Sequence, residues 1–261
     1  MNNAHALKGF TDTALLSLRA QTNGGLVYQL PNVAVRLMYL LPLLFIWRVI
    51  ADGGTDVGMT LAQLLTYTYV NALLAEVLVV RTMASQWNYE GELISLLARP
   101  ASVFGQLAAH TVGGWLPMFF IFSLPMLAVA PLFGIVVVPA TGWFFVSLVL
   151  CISLGFALDF IFACVTIRLR GMAWLGHSIR MAIVSLFSGV VIPFRVLPFG
   201  LTRMFELQPF GSLGGAPLSL FVGTAEPLRI IAVQVAWNIT LWPLAIVWFT
   251  RSKEVQVSYG G

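Results

Sequence analysis

Long apolar runs alternate with short polar interruptions along this chain, and the lengths of the runs set the architecture. Apolar stretches at approximately 31–51, 60–82, 104–130, 140–165, 175–195 and 228–250 each hold the roughly 20 residues that a helix needs to cross a bilayer. From Pro100 to Leu158 there is no Asp, Glu, Lys or Arg, a run of 59 residues that is too long for one span and must cross at least twice. Gly and Pro fall inside the runs, and the short alternating segments of a barrel strand are missing, so the pattern predicts helices. Ahead of the first run, residues 4–21 place Leu7, Phe10, Ala14 and Leu18 on one side and carry Lys8 and Arg19. This predicts an amphipathic helix lying in the membrane interface. Asn23-Gly24-Gly25 ends it.

Two segments depart from this rhythm. Glu90-Gly91-Glu92-Leu93-Ile94-Ser95-Leu96-Leu97-Ala98-Arg99-Pro100 is a charged island between two apolar runs. Leu93, Leu96 and Leu97 share a helix face, two glutamates suit the start of a helix dipole and an arginine its end, and Pro100 stops it. An ordered amphipathic helix in a loop between spans predicts a surface presented to a partner; the plainer reading is a loop that returns the chain. Residues 196–227 are apolar but punctuated by Pro198, Pro209, Gly211, Gly214, Gly215 and Pro217, and they carry Arg203 and Glu206. Non-helical backbone at membrane depth requires burial in protein or a wet cavity. The expected form is two short helices that dip into the outer leaflet and return, with a plain extracellular loop as the alternative.

Composition strengthens the membrane reading. Of 261 residues, 59% are hydrophobic and 9% charged, against about 25% charged in an ordinary soluble domain. The net charge of +4 does not point to nucleic acid, because Lys8 and Lys253 are the only lysines and the arginines lie near the ends of apolar runs. With the N-terminus in the cytoplasm, the inner side holds Lys8, Arg19, Arg36, Arg81, Arg99, Arg168, Arg170, Arg180, Arg251 and Lys253. The outer side holds Arg48, Arg195, Arg203 and Arg229. Ten against four predicts both termini inside, which puts 90–100 and 168–171 in the cytoplasm. The beginning of the chain does not read as a signal peptide, since His5, Lys8, Asp12 and Arg19 interrupt it before an apolar core forms. The expected unit is a single transmembrane domain, 1–261, with an interfacial N-terminal part (1–30), a cytoplasmic segment (83–103) and the broken outer segment (196–227).

The motif search argues against chemistry within the chain. Neither Lys8 nor Lys253 lies in a phosphate-binding loop, His5, His110 and His177 are scattered, and no Gly-x-Ser-x-Gly occurs. The expectation is a non-catalytic chain with no metal site. Cys151 and Cys164, 13 positions apart in one run, read as apolar packing residues. Gly105, Ala109 and Gly113 form a small-residue stripe for close helix approach. Two carboxylates lie inside the runs, Glu76 five residues before Arg81 and Asp159 nine before Arg168. A charge at the centre of a lipid-exposed helix costs about 2.5–3.5 kcal/mol, so both should face protein or water. They line an inward-facing pathway on one reading. On the other they make interhelical pairs that fix packing, Glu76 with an arginine such as Arg36.

The whole arrangement resembles the type-2 ATP-binding-cassette exporter permeases. Gly91-Glu92-Leu93 with Leu96-Leu97-Ala98-Arg99-Pro100 is similar to the G-E-L…L-L-x-R-P segment of a bacterial six-span subfamily. Ser188-Gly189-Val190-Val191-Ile192-Pro193, Leu197-Pro198 and Gln208-Pro209-Phe210 resemble its S-G-x-x-I-P…L-P…x-P-F signature. The resemblance implies a permease subunit of a bacterial cytoplasmic membrane. Such a subunit forms a homodimer or pairs with a related permease, and it couples to two separate ATPase subunits that supply ATP and Mg. It implies ATPase contact through Glu90, Gly91, Glu92, Leu93, Leu96, Leu97, Arg99 and Pro100, with a smaller contact through Arg168, Arg170 and Gly171. It also implies an outer gate bent at Pro193, Pro198 and Pro209. The alternatives are a proton-coupled secondary transporter using Glu76 or Asp159, for which the expected internal repeat is missing, and an intramembrane enzyme.

Overall fold

A computed structural model describes residues 3–23, 25–54, 57–84, 87, 102–168 and 173–259. Helix α1 covers Asn3–Thr22, and after a 3-10 turn at Leu26–Gln29 helix α2 runs Leu30–Asp52 and α3 Leu61–Leu78. Helix α4, Val103–Met118, continues through a π-helical turn at Phe119–Ser123 into α5, Leu124–Val129, and a 3-10 turn at Ala130–Phe133. Then come α6 (Trp143–Arg168), α7 (Ala173–Phe187), α8 (Thr202–Leu207), α9 (Gly215–Phe221) and α10 (Pro227–Tyr259). There is no strand among the described residues.

Local chemistry accounts for several boundaries. Thr60 and Gln63 form a reciprocal capping box that starts α3. The Ser102 side chain accepts from the Gly105 N–H and starts α4. Pro117 and Pro125 each remove a helix donor on either side of Phe119–Ser123, and the chain absorbs the mismatch as a π turn. Gly134, at φ 68°, closes the last turn in the left-handed conformation.

Among the described residues five helical stretches are long and apolar enough to cross a membrane: Val27–Asp52, Leu61–Leu78, Val103–Phe133, Trp143–Thr166 and Pro227–Ser252. They follow five of the six apolar runs and suit a multi-pass membrane protein. The remaining run, 175–195, forms only the 15-residue α7 before breaking at Ser188–Gly189. At 1.5 Å per residue α7 is about 22 Å long, short of a bilayer core of about 30 Å.

Helix α1 forms over the expected residues and packs on α4. Ser17 is buried and donates to the His110 carbonyl at 2.9 Å, while Ala14 and Gln21 flank Gly113 and Gly114 of α4. Leu7, Leu15 and Leu16 remain exposed. Gly113, one of the three residues of the predicted small-residue stripe, therefore seats α1: a Cβ there would lie 2.2 Å from the Ala14 carbonyl oxygen. Gly113→Ala is expected to lower stability by about 1–3 kcal/mol through overpacking. Gly9→Ala, inside α1 with open space around it, serves as the control and should if anything raise stability slightly. Thermal unfolding of the detergent-purified protein compares the two, and equal midpoints would contradict the close approach.

Helices α6 and α10 pack along each other and carry two of the three apolar clusters. Cys151 and Cys164 are buried free thiols within those clusters. The third cluster joins α2, α3 and the end of the α4–α5 stretch.

Candidate functional site

Each intramembrane carboxylate meets an arginine from a neighbouring helix. Glu76 on α3 pairs with Arg36 on α2. The Arg36 guanidinium also donates to the Ala72 carbonyl at 3.3 Å and lies 5.4 Å from the Phe122 ring centroid, beside the π turn. Asp159 on α6 pairs with Arg180 on α7 at 3.0 Å, both side chains almost fully buried. The second oxygen of Asp159 accepts from the Thr82 backbone N–H at 3.0 Å and from the Thr82 hydroxyl. Arg180 also donates to the Val80 carbonyl. Helix α3 stops at Leu78 and leaves Val79–Thr82 non-helical, so the pair is holding backbone groups that α3 no longer satisfies. Gly155 on α6 admits the Val80 side chain, which a Cβ would meet at 2.7 Å.

The two pairs border a common space. A cavity of about 340 Å³ is lined by Glu76, Asp159 and Arg180 together with Arg81, His110 and Gln29. A second cavity of about 570 Å³ shares Asn32, Glu76, Arg81 and Met118 with the first and continues along Tyr39 and Val184. One chamber is therefore polar and the other mainly apolar, with Glu76 and Arg81 at their junction. Among the described residues no group of three or more His, Cys, Asp or Glu side chains converges in a way that could hold a metal ion. His110 instead meets the Trp87 ring edge-on, with centroids 4.6 Å apart.

The broken segment between α7 and α10 closes around this space. Tyr67 Oη donates to the Gly189 carbonyl at 2.7 Å, and Asn71 Nδ2 donates to the Val190 carbonyl at 2.9 Å. Phe187 stacks on Phe205 with centroids 5.5 Å apart. Every residue of α9 is buried. Pro193 precedes the 3-10 turn Phe194–Val196 and is buried, Pro198 opens an exposed turn, and Pro209 lies half-buried after α8. The three prolines thus stand at three separate places along the segment.

The expected coupling residues Glu90, Gly91, Glu92, Leu93, Leu96, Leu97, Arg99 and Pro100, and Arg170 and Gly171, lie outside the described residues. Arg168 ends α6, with its guanidinium 5.3 Å from the Trp248 ring centroid.

Of the four charged partners, the sequence reading paired Arg36 with Glu76 but missed Arg180 for Asp159. Hairpin arithmetic could have found it. Asp159 lies nine residues before the end of α6 and Arg180 seven after the start of α7. At 1.5 Å per residue both stand about 10–14 Å from the adjoining helix ends, and so at similar heights.

The fold and site define an all-helical protein whose apolar helices suit a membrane, with a charged cavity held between helices. No protein-family model, curated protein or solved structure matches the chain.

Proposed function

We propose that this chain is the membrane-spanning, non-catalytic subunit of an ATP-driven exporter, working as a dimer of permeases with separate ATPase subunits that bind ATP and Mg. The observation that carries the reading is the two-chambered cavity, in which Glu76 and Asp159 reach one space from α3 and α6 while each is held by an arginine from another helix. Ion pairs between helices that border a cavity are suited to a pathway whose walls move relative to each other, because such pairs have discrete made and broken states.

In this reading the short α7 and the segment to α10 complete a sixth, interrupted passage, and α8 with the buried α9 is the re-entrant outer element. The positive charges fit both termini inside. Removing Arg36 and Arg180, which are committed to helix pairs, from the ten inner charges leaves eight against four outside. The chain has no phosphate loop of its own, so the motion must be driven through a partner surface, and Glu90 to Pro100 with Arg168 to Gly171 are the residues assigned to it.

Purification from native membrane under mild conditions tests the assignment. An ATPase subunit is expected to accompany the chain and to be lost when Glu90, Glu92 and Arg99 are replaced together by alanine. If no such subunit accompanies the wild-type chain and the triple replacement changes nothing, the exporter reading fails. Transport driven by a proton gradient after loss of every ATPase would transfer the assignment to a secondary transporter using Glu76 or Asp159.

A further inference from the structure

Three of the four arginines assigned to the outer side, Arg195, Arg203 and Arg229, converge on one cavity of about 470 Å³ that also borders Gly200, Thr202 and Glu206. It lies at the end of the bundle where the loops after α2, before α6 and before α10 meet. The Gln63 amide reaches the Val222 carbonyl at 3.3 Å, the Ala140 N–H donates to the Phe221 carbonyl at 2.8 Å, and a Cβ on Gly58 would lie 3.3 Å from the Arg195 carbonyl oxygen. Glu206 is the single carboxylate of the cavity, and it pairs with Arg229 at 3.4 Å. Arg195 donates to the Thr224 carbonyl, which fixes its position without neutralising its charge. Arg203 has no ion pair or hydrogen bond among the described residues. Three guanidiniums therefore face one carboxylate, a surplus of positive charge on the side where a multi-pass protein keeps few.

Leu228, Met204 and Leu207, next in sequence to the lining residues Arg229, Arg203 and Glu206, are exposed. Phe199 is 96% exposed and sits at φ 61°, followed by Gly200 at φ 70°. The Leu201 N–H closes this turn on the Pro198 carbonyl at 3.3 Å. A bulky side chain in the left-handed region is an outlier that costs stability, and here no core contact offsets it. The strain holds an aromatic ring outward next to an arginine cluster, which is the arrangement of an interfacial anchor.

We propose that Arg195, Arg203 and Arg229 form a binding site for a phosphate-type anion, with Phe199 inserted among acyl chains when that anion is a lipid headgroup. Guanidinium forks match phosphate oxygens, and the cavity is large enough for a headgroup. The site rests on the membrane reading alone and not on the exporter assignment, since removing Arg203 is expected to leave ATPase co-purification unchanged.

The full chain, purified in detergent, is titrated with phosphatidylglycerol, with phosphatidylcholine and with inorganic phosphate. Retained lipid and the thermal midpoint are read for wild type, Arg203→Gln, Arg203→Lys and Phe199→Ala. Wild type is expected to prefer phosphatidylglycerol, Arg203→Gln to weaken that binding about fivefold, and Arg203→Lys to keep only the part due to charge and lose the part due to the fork. Loss of phosphatidylglycerol binding in Phe199→Ala, with phosphate having no effect, assigns the site to a lipid headgroup. A saturable rise in midpoint with phosphate that disappears in Arg203→Gln assigns it to a free anion. Equal binding of both lipids with no response to phosphate, or full phosphatidylglycerol preference in Arg203→Gln, overturns the proposal. Arg203 holds nothing together, so these variants are expected to fold.

Discussion

Asp159→Leu is expected to destabilise the protein by about 3–5 kcal/mol, because it strands the Arg180 guanidinium in a buried site without its countercharge. Arg180→Met should cost a similar amount by stranding the carboxylate. The double replacement should recover a large part of the loss, since two apolar side chains of comparable volume leave no uncompensated charge. It should not recover all of it. The Val80 carbonyl loses the Arg180 donor, and the Thr82 N–H loses its carboxylate acceptor. Each such group left unpaired in the interior costs about 1–3 kcal/mol. Unfolding of the four proteins in one detergent closes a double-mutant cycle. A double variant as unstable as the worse single one would show that the site is held by backbone contacts and not by charge pairing.

The cycle bears on movement as well as stability. The Asp159–Arg180 network ties α6, α7 and the frayed end of α3 together, and Glu76–Arg36 ties α3 to α2. Widening the cavity between them requires at least one tie to break or to travel with its helices. The α6–α7 tie is closed by several hydrogen bonds and is almost fully buried. The α2–α3 pair is partly exposed, and its carboxylate accepts a single ion pair. The α2–α3 side is therefore the softer wall of the cavity, and it is also the wall that the apolar chamber adjoins.

What could be read from the residues divides along a physical line. Five long helical stretches, one of them carrying the π turn, follow from apolar runs whose length a bilayer dictates, and the requirement that Glu76 and Asp159 be sheltered follows from the cost of a lone charge there. The length of α7 did not follow, because hydropathy is blind to the turn at Ser188–Gly189 inside an apolar run. The packing of α1 on α4 did not follow either: the pattern marks the apolar side of α1, but the close approach of Ala14 and Ser17 to α4 is a non-local contact. The convergence of Arg195, Arg203 and Arg229 depends on non-local folding of the 188–226 segment, and no sequence spacing announces it.

That folding turns on Gly189, and Gly189→Ala is the second replacement expected to have a large effect. Gly189 adopts φ 75°, and a Cβ there would lie 2.8 Å from the Gly215 Cα and 2.9 Å from Phe194 Cζ. The neighbouring Gly215 N–H donates to the Ser188 carbonyl at 2.6 Å, so the two backbones cannot part without losing that bond. A left-handed alanine costs about 1–2 kcal/mol and overpacking a further 1–3 or so, giving a loss of about 2–5 kcal/mol. Gly134→Ala separates the two contributions, because Gly134 has φ 68° but open space around it, and it should lose only the left-handed cost. Thermal unfolding in detergent compares them, and equal losses would mean that the contact with Gly215 is not tight. A displaced Gly189 also moves Val190, whose carbonyl is held by Asn71 and whose side chain lines the apolar chamber. Gly189→Ala should therefore reshape the cavity under conditions where the protein still folds, whereas Gly134→Ala should leave it unchanged.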